Sequence, residues 1–284
     1  MIRPHRLQIE HLLKTALMED MPHGGDITSA LTIPEDTLAT AHLNARSAGV
    51  IAGLEIALGA FTLCGDGFEI TAHVRDGDMV KAGETLATIH GPARALLSAE
   101  RTCLNIMSHL SGIASLTARY VSAVKGTSTR ITCTRKTLPG LRVFQKYAVA
   151  MGGGFNHRSG LDDAVMIKDN HTDVANSIKD ALTAAAKQLG HTKTIEIEVE
   201  TLDHVREVLD HGGAHILMLD NMAPDMLKEA VKIVDGRLIT EASGGITLET
   251  VQNVAKSGVD MISVGALTHS AAALDIGLDI TIKN

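Results

Sequence analysis

The spacing of apolar residues changes twice along the chain, and each change marks a different kind of element. From residue 4 to 20, Leu7, Leu12, Leu13, Ala16 and Leu17 recur at roughly helical intervals behind Pro4, which suits a first turn, and predict a packing helix. The next segment, MPHGGDITSALTIPED, is rich in Gly, Pro and Asp and reads as a loop, with Asp26 and Thr28 better suited to capping turns than to chemistry. Short alternating runs broken by Gly and Asp between residues 39 and 91 predict a small β-rich domain with a structural job. Residues 96–124 return to helical spacing, with a break expected near Gly112. Arg101, Asn105, Ser108, His109 and Gly112 fall on one face of that helix beside Leu104, Met107, Leu110 and Ile113. A solvated face is the ordinary role of such a stripe, but its small residues and lack of Glu–Lys pairs leave a substrate-facing or subunit-facing role open. After Gly126 the rhythm becomes one of short apolar strands (130–134, 164–167, 194–199, 215–219, 238–242, 261–264) separated by helix-length segments (174–189, 202–211, 224–234, 248–257). Repeated βα units of this kind predict a parallel, barrel-like α/β domain.

Composition narrows what such a fold is for. With 284 residues the chain can form one large domain or a large one with a smaller companion. Lys+Arg 26 against Asp+Glu 33 gives a formal net charge of -7, which argues against a general nucleic-acid or membrane-surface role. No apolar run reaches the length of a membrane span and the N-terminus lacks a signal-peptide core, so a soluble cytoplasmic protein is expected. Cys64, Cys103 and Cys133 are odd in number, widely spaced and without a CxxC pair, and are expected to be small hydrophobes instead of a disulfide or zinc framework. With no Trp, 2 Tyr and 4 Phe there are few platforms for stacking single-stranded nucleic acid.

Against this acidic background the stretch from Ile131 to Lys168 gathers Arg135, Lys136, Arg142, Lys146, His157, Arg158 and Lys168, a concentration suited to a polyanionic small molecule. Each predicted strand of the second half also ends in polar or glycine residues: Arg135-Lys136, Lys168, Glu198, Asp220-Asn221, Ser243-Gly244-Gly245 and Gly265. In α/β barrels these ends meet at one mouth. Arg135, His157 and Arg158 are forked or directional donors suited to carboxylates, and Lys136 and Lys168 are compact charges suited to phosphates. Glu198 and Asp220 are hard oxygen ligands appropriate for a magnesium ion, and the backbone amides around Ser243, Gly244, Gly245 and Gly265 suit a phosphate. Glu196, Glu198 and Glu200 alternate with apolar residues, so they share a strand face and would repel unless a cation or basic side chains lie among them. Arg142 is left open between substrate contact and surface charge, and Lys146 is expected on a helix surface.

The segments SAERTCLN, TRKTLPGLR, GGGFNHRSGL, IKDNH, IEIEVE, MLDN, EASGGI and ISVGALTHS together resemble the carboxylating nicotinate-nucleotide pyrophosphorylases, or quinolinate phosphoribosyltransferases, from about GGDITS to LDIGLDI. The resemblance implies an α/β sandwich domain (1–112 with 271–284), an incomplete α/β barrel (113–270), and a homo-oligomer, dimer or hexamer, in which Arg101 of one subunit reaches a neighbour's site. It further implies that Arg101, Arg135, His157 and Arg158 hold quinolinate, that Lys136 and Lys168 lie nearby, that Glu198 and Asp220 bind the ribose and Mg2+ of phosphoribosyl pyrophosphate, and that Ser243, Gly244, Gly245 and Gly265 receive its 5′-phosphate. Lys136, Lys168, Glu198 and Asp220 would be the catalytic set. Competing readings are the molybdenum-transport-associated paralogue of that family, a lysine-Schiff-base aldolase using Lys136 or Lys168, and a carrier module based on residues 70–91 displaying Lys81.

Overall fold

A computed structural model describes residues 3–281. The chain begins with α1 (Arg6–Asp20), α2 (Ile27–Thr32), β1 (Leu38–Ala45), β2 (Gly49–Val50), α3 (Leu54–Cys64), β3 (Glu69–Ala72), β4 (Met79–Val80), β5 (Thr85–Pro92) and the long α4 (Ala93–Ala123). It continues through β6 (Arg130–Thr132), α5 (Arg142–Met151), β7 (Val165–Ile167), α6 (Asp169–Val174), α7 (Ile178–Gln188), β8 (Ile195–Val199) and α8 (Leu202–His211). The last elements are β9 (Ile216–Asp220), α9 (Pro224–Val234), β10 (Ile239–Ser243), α10 (Val251–Ala255), β11 (Met261–Ser263), α11 (Ala266–His269) and β12 (Ile276–Thr281). Two compact units result, one of residues 3–118, 143–153 and 271–281, the other of 119–142 and 154–270. The first therefore runs past residue 112 and also takes in most of α5, whose residues from Phe144 to Val149 are all buried.

In the first unit an antiparallel sheet of order β12-β1-β5-β3 is built on period-2 alternation: Ala39, Ala41, Leu43 and Ala45 of β1 are buried and the residues between them are not. That face packs with Leu54, Ala57 and Phe61 of α3 and Leu96, Cys103 and Met107 of α4. Two expectations change here. The Gly/Pro-rich segment contains a short helix, α2, started by Asp26, whose carboxylate accepts the Ser29 N–H at 3.0 Å. And α4 passes through Gly112 unbroken, because that glycine serves close approach: a Cβ there would run into the carbonyl of Ala272. Cys103 and Cys133 are buried, Cys64 is half-buried, and none of the three is in a disulfide.

The second unit holds six parallel strands in the order β6-β11-β10-β9-β8-β7. β6 and β7 follow one another in sequence yet stand at opposite edges, which makes the barrel incomplete. Beside the open edge of β6 runs the chain at Phe155, whose N–H donates to the Ile131 carbonyl (2.8 Å) and whose carbonyl accepts from Cys133 N–H (3.1 Å). The helix expected over 174–189 starts later, at Ile178, after a separate short helix α6 that ends at Val174, because Asn176 takes φ 73° and the Ser177 hydroxyl accepts from Asp180 N–H to start α7.

Strand alternation then separates two surfaces. Ile195, Ile197, Val199, Leu217, Leu219, Ala242 and Ile262 are buried on one, where the sheet meets helices of the α7–α10 layer. The alternate positions, among them Glu196, Glu198, Met218, Asp220, Glu241, Ser243 and Ser263, face the barrel interior. Two of these, Glu196 and Glu241, are 2% and 4% exposed. Burial, and then the neighbouring Glu196, push the Glu241 carboxyl up from 4.5 to about 7, against the opposing pull of His157.

Glu241 should therefore make stability pH-dependent. The folded state keeps a proton that the unfolded state releases, so stability falls as pH rises through the window between 4.5 and about 7. Thermal melts of wild type and Glu241→Gln at pH 5 and pH 8 should show the difference in melting temperature moving in the variant's favour by several degrees at the higher pH. Identical pH dependence in the two proteins would refute the shifted titration.

Candidate active site

The C-terminal ends of the strands surround a cavity of 530 Å3. Arg135 and Lys136 reach it from the loop after β6, His157 and Arg158 from the segment before β7, Lys168 from the end of β7, Glu198 from β8, Asp220 from β9, and Ser243, Gly244 and Gly245 from β10. Six chain segments that are remote in sequence thus meet because a parallel sheet presents all its carboxyl ends at one rim. Gly265 lies immediately beneath this lining, since a Cβ there would come within 3.0 Å of the Lys136 stem. Arg101 is exposed on α4, in the other unit.

Local contacts hold each functional group. Thr134 Oγ1 accepts the Lys136 N–H at 3.0 Å and the Lys136 carbonyl accepts from Thr268 Oγ1 at 2.8 Å, which pins the loop that carries both cations. Arg142 donates to Thr137 Oγ1 (3.0 Å) and to the Ser159 carbonyl (3.1 Å), so it clamps the two cationic segments together and is accounted for structurally. Lys146, expected on a helix surface, is instead only 4% exposed, because α5 is buried on every side at that level. At the β9–β10 rim, Asn221 takes φ 54°, donates its N–H to the Ser243 carbonyl and gives its side-chain amide to Asp220 at 2.5 Å. Gly244, at φ 97°, has no room for a Cβ against that same Asn221, so here both backbone angle and contact demand glycine.

The expected repulsion between alternating carboxylates is resolved residue by residue. Glu198 accepts from the Lys168 ammonium across the β7–β8 pair. Glu196 lies 3.1 Å from His157 Nε2, and Glu241 lies 3.6 Å from the same nitrogen. Glu200 falls beyond the end of β8 and lines a different, acidic hollow with Asp169 and His204. Ligand atoms of His157, Glu196 and Glu241 all lie within 4.8 Å of one another, with the imidazole between the two carboxylates.

His157 lines the cavity beside Arg158 and is also tied into the barrel. Its Nδ1 accepts the backbone N–H of Arg158 at 2.8 Å while Nε2 lies 3.1 Å from Glu196, so the inward-pointing Glu196 and Glu241 steady the imidazole from the interior side. Arg158 gives one nitrogen to the Ala164 carbonyl at 2.9 Å, and burial, followed by repulsion from Arg135, holds its guanidinium below the usual range. The Nε of Arg135 is buried without a hydrogen-bond partner. A buried, unsatisfied cationic donor costs about 1–3 kcal/mol or more, and a bound anion relieves it.

Thr134, Met166, Met218 and Ser263 also line the cavity and were not singled out from the sequence. Three of them carried a usable signal: Met166, Met218 and Ser263 sit two residues before Lys168, Asp220 and Gly265, hence on the same face.

Residues 113–279 match the C-terminal domain of quinolinate phosphoribosyl transferase, and residues 26–111 match its N-terminal domain. The chain is 43% identical over 280 residues to the probable carboxylating nicotinate-nucleotide pyrophosphorylase of Bacillus subtilis, covering 99% of this chain and 96% of that protein. It is 44% identical over 276 residues to the Mycobacterium leprae enzyme of that name, covering 94% and 95%. Among solved structures, NadC from Streptococcus pyogenes superposes with a TM-score of 0.96 at 38% identity over 100% of both chains. The nicotinate-nucleotide pyrophosphorylase from Francisella tularensis gives 0.94 at 38% identity over 98% of each. With both domains matched in order over most of its length, the chain belongs to the quinolinate phosphoribosyltransferase family.

Proposed function

We propose that the chain transfers the phosphoribosyl group of phosphoribosyl pyrophosphate to quinolinate and decarboxylates the product to nicotinate mononucleotide, with release of pyrophosphate and CO2. The observation that carries this reading is the pairing, in one cavity, of the Arg135–Arg158 cluster holding an unsatisfied buried donor with a rim of Lys136, Lys168, Asp220 and backbone amides. An aromatic dicarboxylate answers the first and a phosphorylated sugar the second.

In this reading Arg135 and Arg158 bind the two carboxylates by charge-assisted, forked hydrogen bonds and fix the pyridine nitrogen in line with the anomeric carbon. Lys136 and Lys168 offset the repulsion between the two anionic substrates and the charge that builds on the departing pyrophosphate. Glu198 and Asp220 border the ribose, and the amides of Ser243, Gly244, Gly245 and Gly265 take its 5′-phosphate. Glu198 and Asp220 also fit Mg2+, since they are oxygen donors on adjacent strands; when bound, the ion neutralises pyrophosphate oxygens. The nitrogen lone pair forms the new C–N bond as the C–O bond to pyrophosphate breaks. The ring is then cationic at nitrogen, so the C–CO2 bond next to it can break with its electron pair left on the ring carbon, which afterwards takes a proton. A Schiff-base reading fits less well, because Lys168 is ion-paired to Glu198 and Lys136 is exposed among other charges, where an apolar pocket is required.

We further infer that the working form is a homo-oligomer, dimer or hexamer, in which exposed Arg101 completes a second copy's site, and that it works in the cytoplasm. Among the described residues no helix is long and apolar enough to cross a membrane, and the three cysteines form no disulfide. Cell fractionation tests the location.

Purified protein given quinolinate, phosphoribosyl pyrophosphate and Mg2+ should yield nicotinate mononucleotide and CO2 in equal amounts, with activity lost to a chelator and restored by Mg2+; folded, metal-replete protein that forms neither product excludes the assignment. Arg135→Ala should weaken quinolinate binding by about 1.5–3 kcal/mol, a loss of at least tenfold, and unchanged affinity by calorimetry would reject the contact. Mixing inactive Arg101→Ala with an inactive Lys136→Ala protein should restore part of the activity, whereas verified mixed oligomers without activity would count against a shared site.

A further inference from the structure

Where β9 ends, the chain turns through Asn221, whose φ of 54° lies in the left-handed region that Gly, Asn and Asp adopt more readily than other residues. Three contacts fix it there. Its N–H donates to the Ser243 carbonyl at 2.9 Å. Its side-chain Nδ2 donates to Asp220 Oδ2 at 2.5 Å. Its Oδ1 lies against Gly244, where a Cβ would come within 2.1 Å of that oxygen. Among the described residues no other side chain hydrogen-bonds the Asp220 carboxylate. That carboxylate turns about two side-chain torsions, so this one contact decides how it faces the cavity it lines. Asn is the residue that meets both demands of the position. Gly tolerates the backbone angle but offers no donor, and Asp tolerates it but sets a second carboxylate against the first.

We propose that Asn221 is a positioning residue that aims the Asp220 carboxylate at the ribose of the phosphoribosyl donor, and is itself held by Gly244 and the Ser243 carbonyl. The proposal rests on the reading of Asp220 as a ligand of that ribose. These contacts join the ends of β9 and β10, which pair from Ile216 to Asp220, so they belong to the sugar side of the cavity and leave Arg135 and Arg158 alone. Loss of the amide therefore weakens one substrate and spares the other, which a general loosening of the barrel would not do. What the position requires is an N–H donor, so a side chain of the same shape without one does not suffice.

The test is steady-state kinetics at saturating Mg2+ on Asn221→Gly, Asn221→Asp, Asp220→Ala and the Asp220→Ala/Asn221→Gly double variant. Asn221→Gly and Asn221→Asp should each raise the KM for phosphoribosyl pyrophosphate about tenfold while leaving the KM for quinolinate within about twofold. Asp220→Ala should raise the same KM, and Asn221→Gly should add less than about twofold in that background, since it acts through Asp220. An Asp variant with the wild-type KM, additive effects in the double variant, or an equal rise for both substrates would each overturn the proposal. If Asn221→Gly does not fold, Asn221→Asp decides alone: a tenfold rise confined to phosphoribosyl pyrophosphate supports the positioning role, and a KM within about twofold of wild type rejects it. Wild type without turnover would instead sink the functional reading, and an active wild type in which Asp220→Ala leaves the KM for phosphoribosyl pyrophosphate unchanged would sink the role given to Asp220. An active wild type in which Asp220→Ala raises that KM and Asn221→Gly does not would sink only the positioning role.

Discussion

The contact between Glu196 and His157, with Glu241 close behind, is the constraint on which the site depends. Two carboxylates buried a few ångströms apart in a barrel interior are costly, because low polarity disfavours each charge and proximity disfavours having both. The structure meets that cost in two ways. His157 donates to one carboxylate, and the other holds its proton to unusually high pH. The consequence reaches the cavity, because the imidazole held against these carboxylates lines it beside Arg135 and Arg158. Burial, and then Arg135, lower the Arg158 guanidinium, and Glu196 and Asp163 oppose that shift.

Strand parity is what allows one short peptide to serve both core and site. In IEIEV the isoleucines and valine bury fully on the outer face of the sheet while Glu196 and Glu198 face inward, at two depths. The deeper one meets His157 and the shallower one meets Lys168 at the rim. The same two-residue step separates Glu241 from Ser243 and Met218 from Asp220, so depth in the barrel reads directly as distance from the end of the strand. A deeper residue supports and a shallower one faces the ligand, which is why a change at depth is transmitted through a neighbour.

Much of this was legible in the sequence. Six strands and the polar residues at their ends follow from short apolar runs closed by charge or glycine, and the cavity gathers Arg135, Lys136, Lys168, Glu198, Asp220 and Ser243 as that pattern requires. What escaped is what depends on three-dimensional neighbours. Gly112 looks like a helix breaker in one dimension and proves to be a contact point with Ala272. Lys146 looks like a surface charge because lysine usually is, and only the burial of α5 from Phe144 to Val149 makes it an interior residue. That the His157 ring would be steadied by Glu196, 39 positions along the chain, and by the backbone of its immediate neighbour is visible only in three dimensions. The later start of the helix expected over 174–189 lay closer to reach, since Asn176-Ser177 is a cap signal just before Ile178.

Charge count also bears on which ligands the cavity favours. Two guanidiniums stand over two interior carboxylates, of which one keeps its proton near neutral pH, so the floor carries an excess of positive charge that a single carboxylate would leave partly unmatched. In the proposed quinolinate complex a ring with two adjacent carboxylates would answer both guanidiniums, and the Arg135 Nε, otherwise buried without a partner, would gain one. A monocarboxylate would then be disfavoured by the donor it leaves unanswered, without steric exclusion. At the rim Lys136 is exposed, so water satisfies its charge between turnovers, as it does not for that buried Arg135 nitrogen.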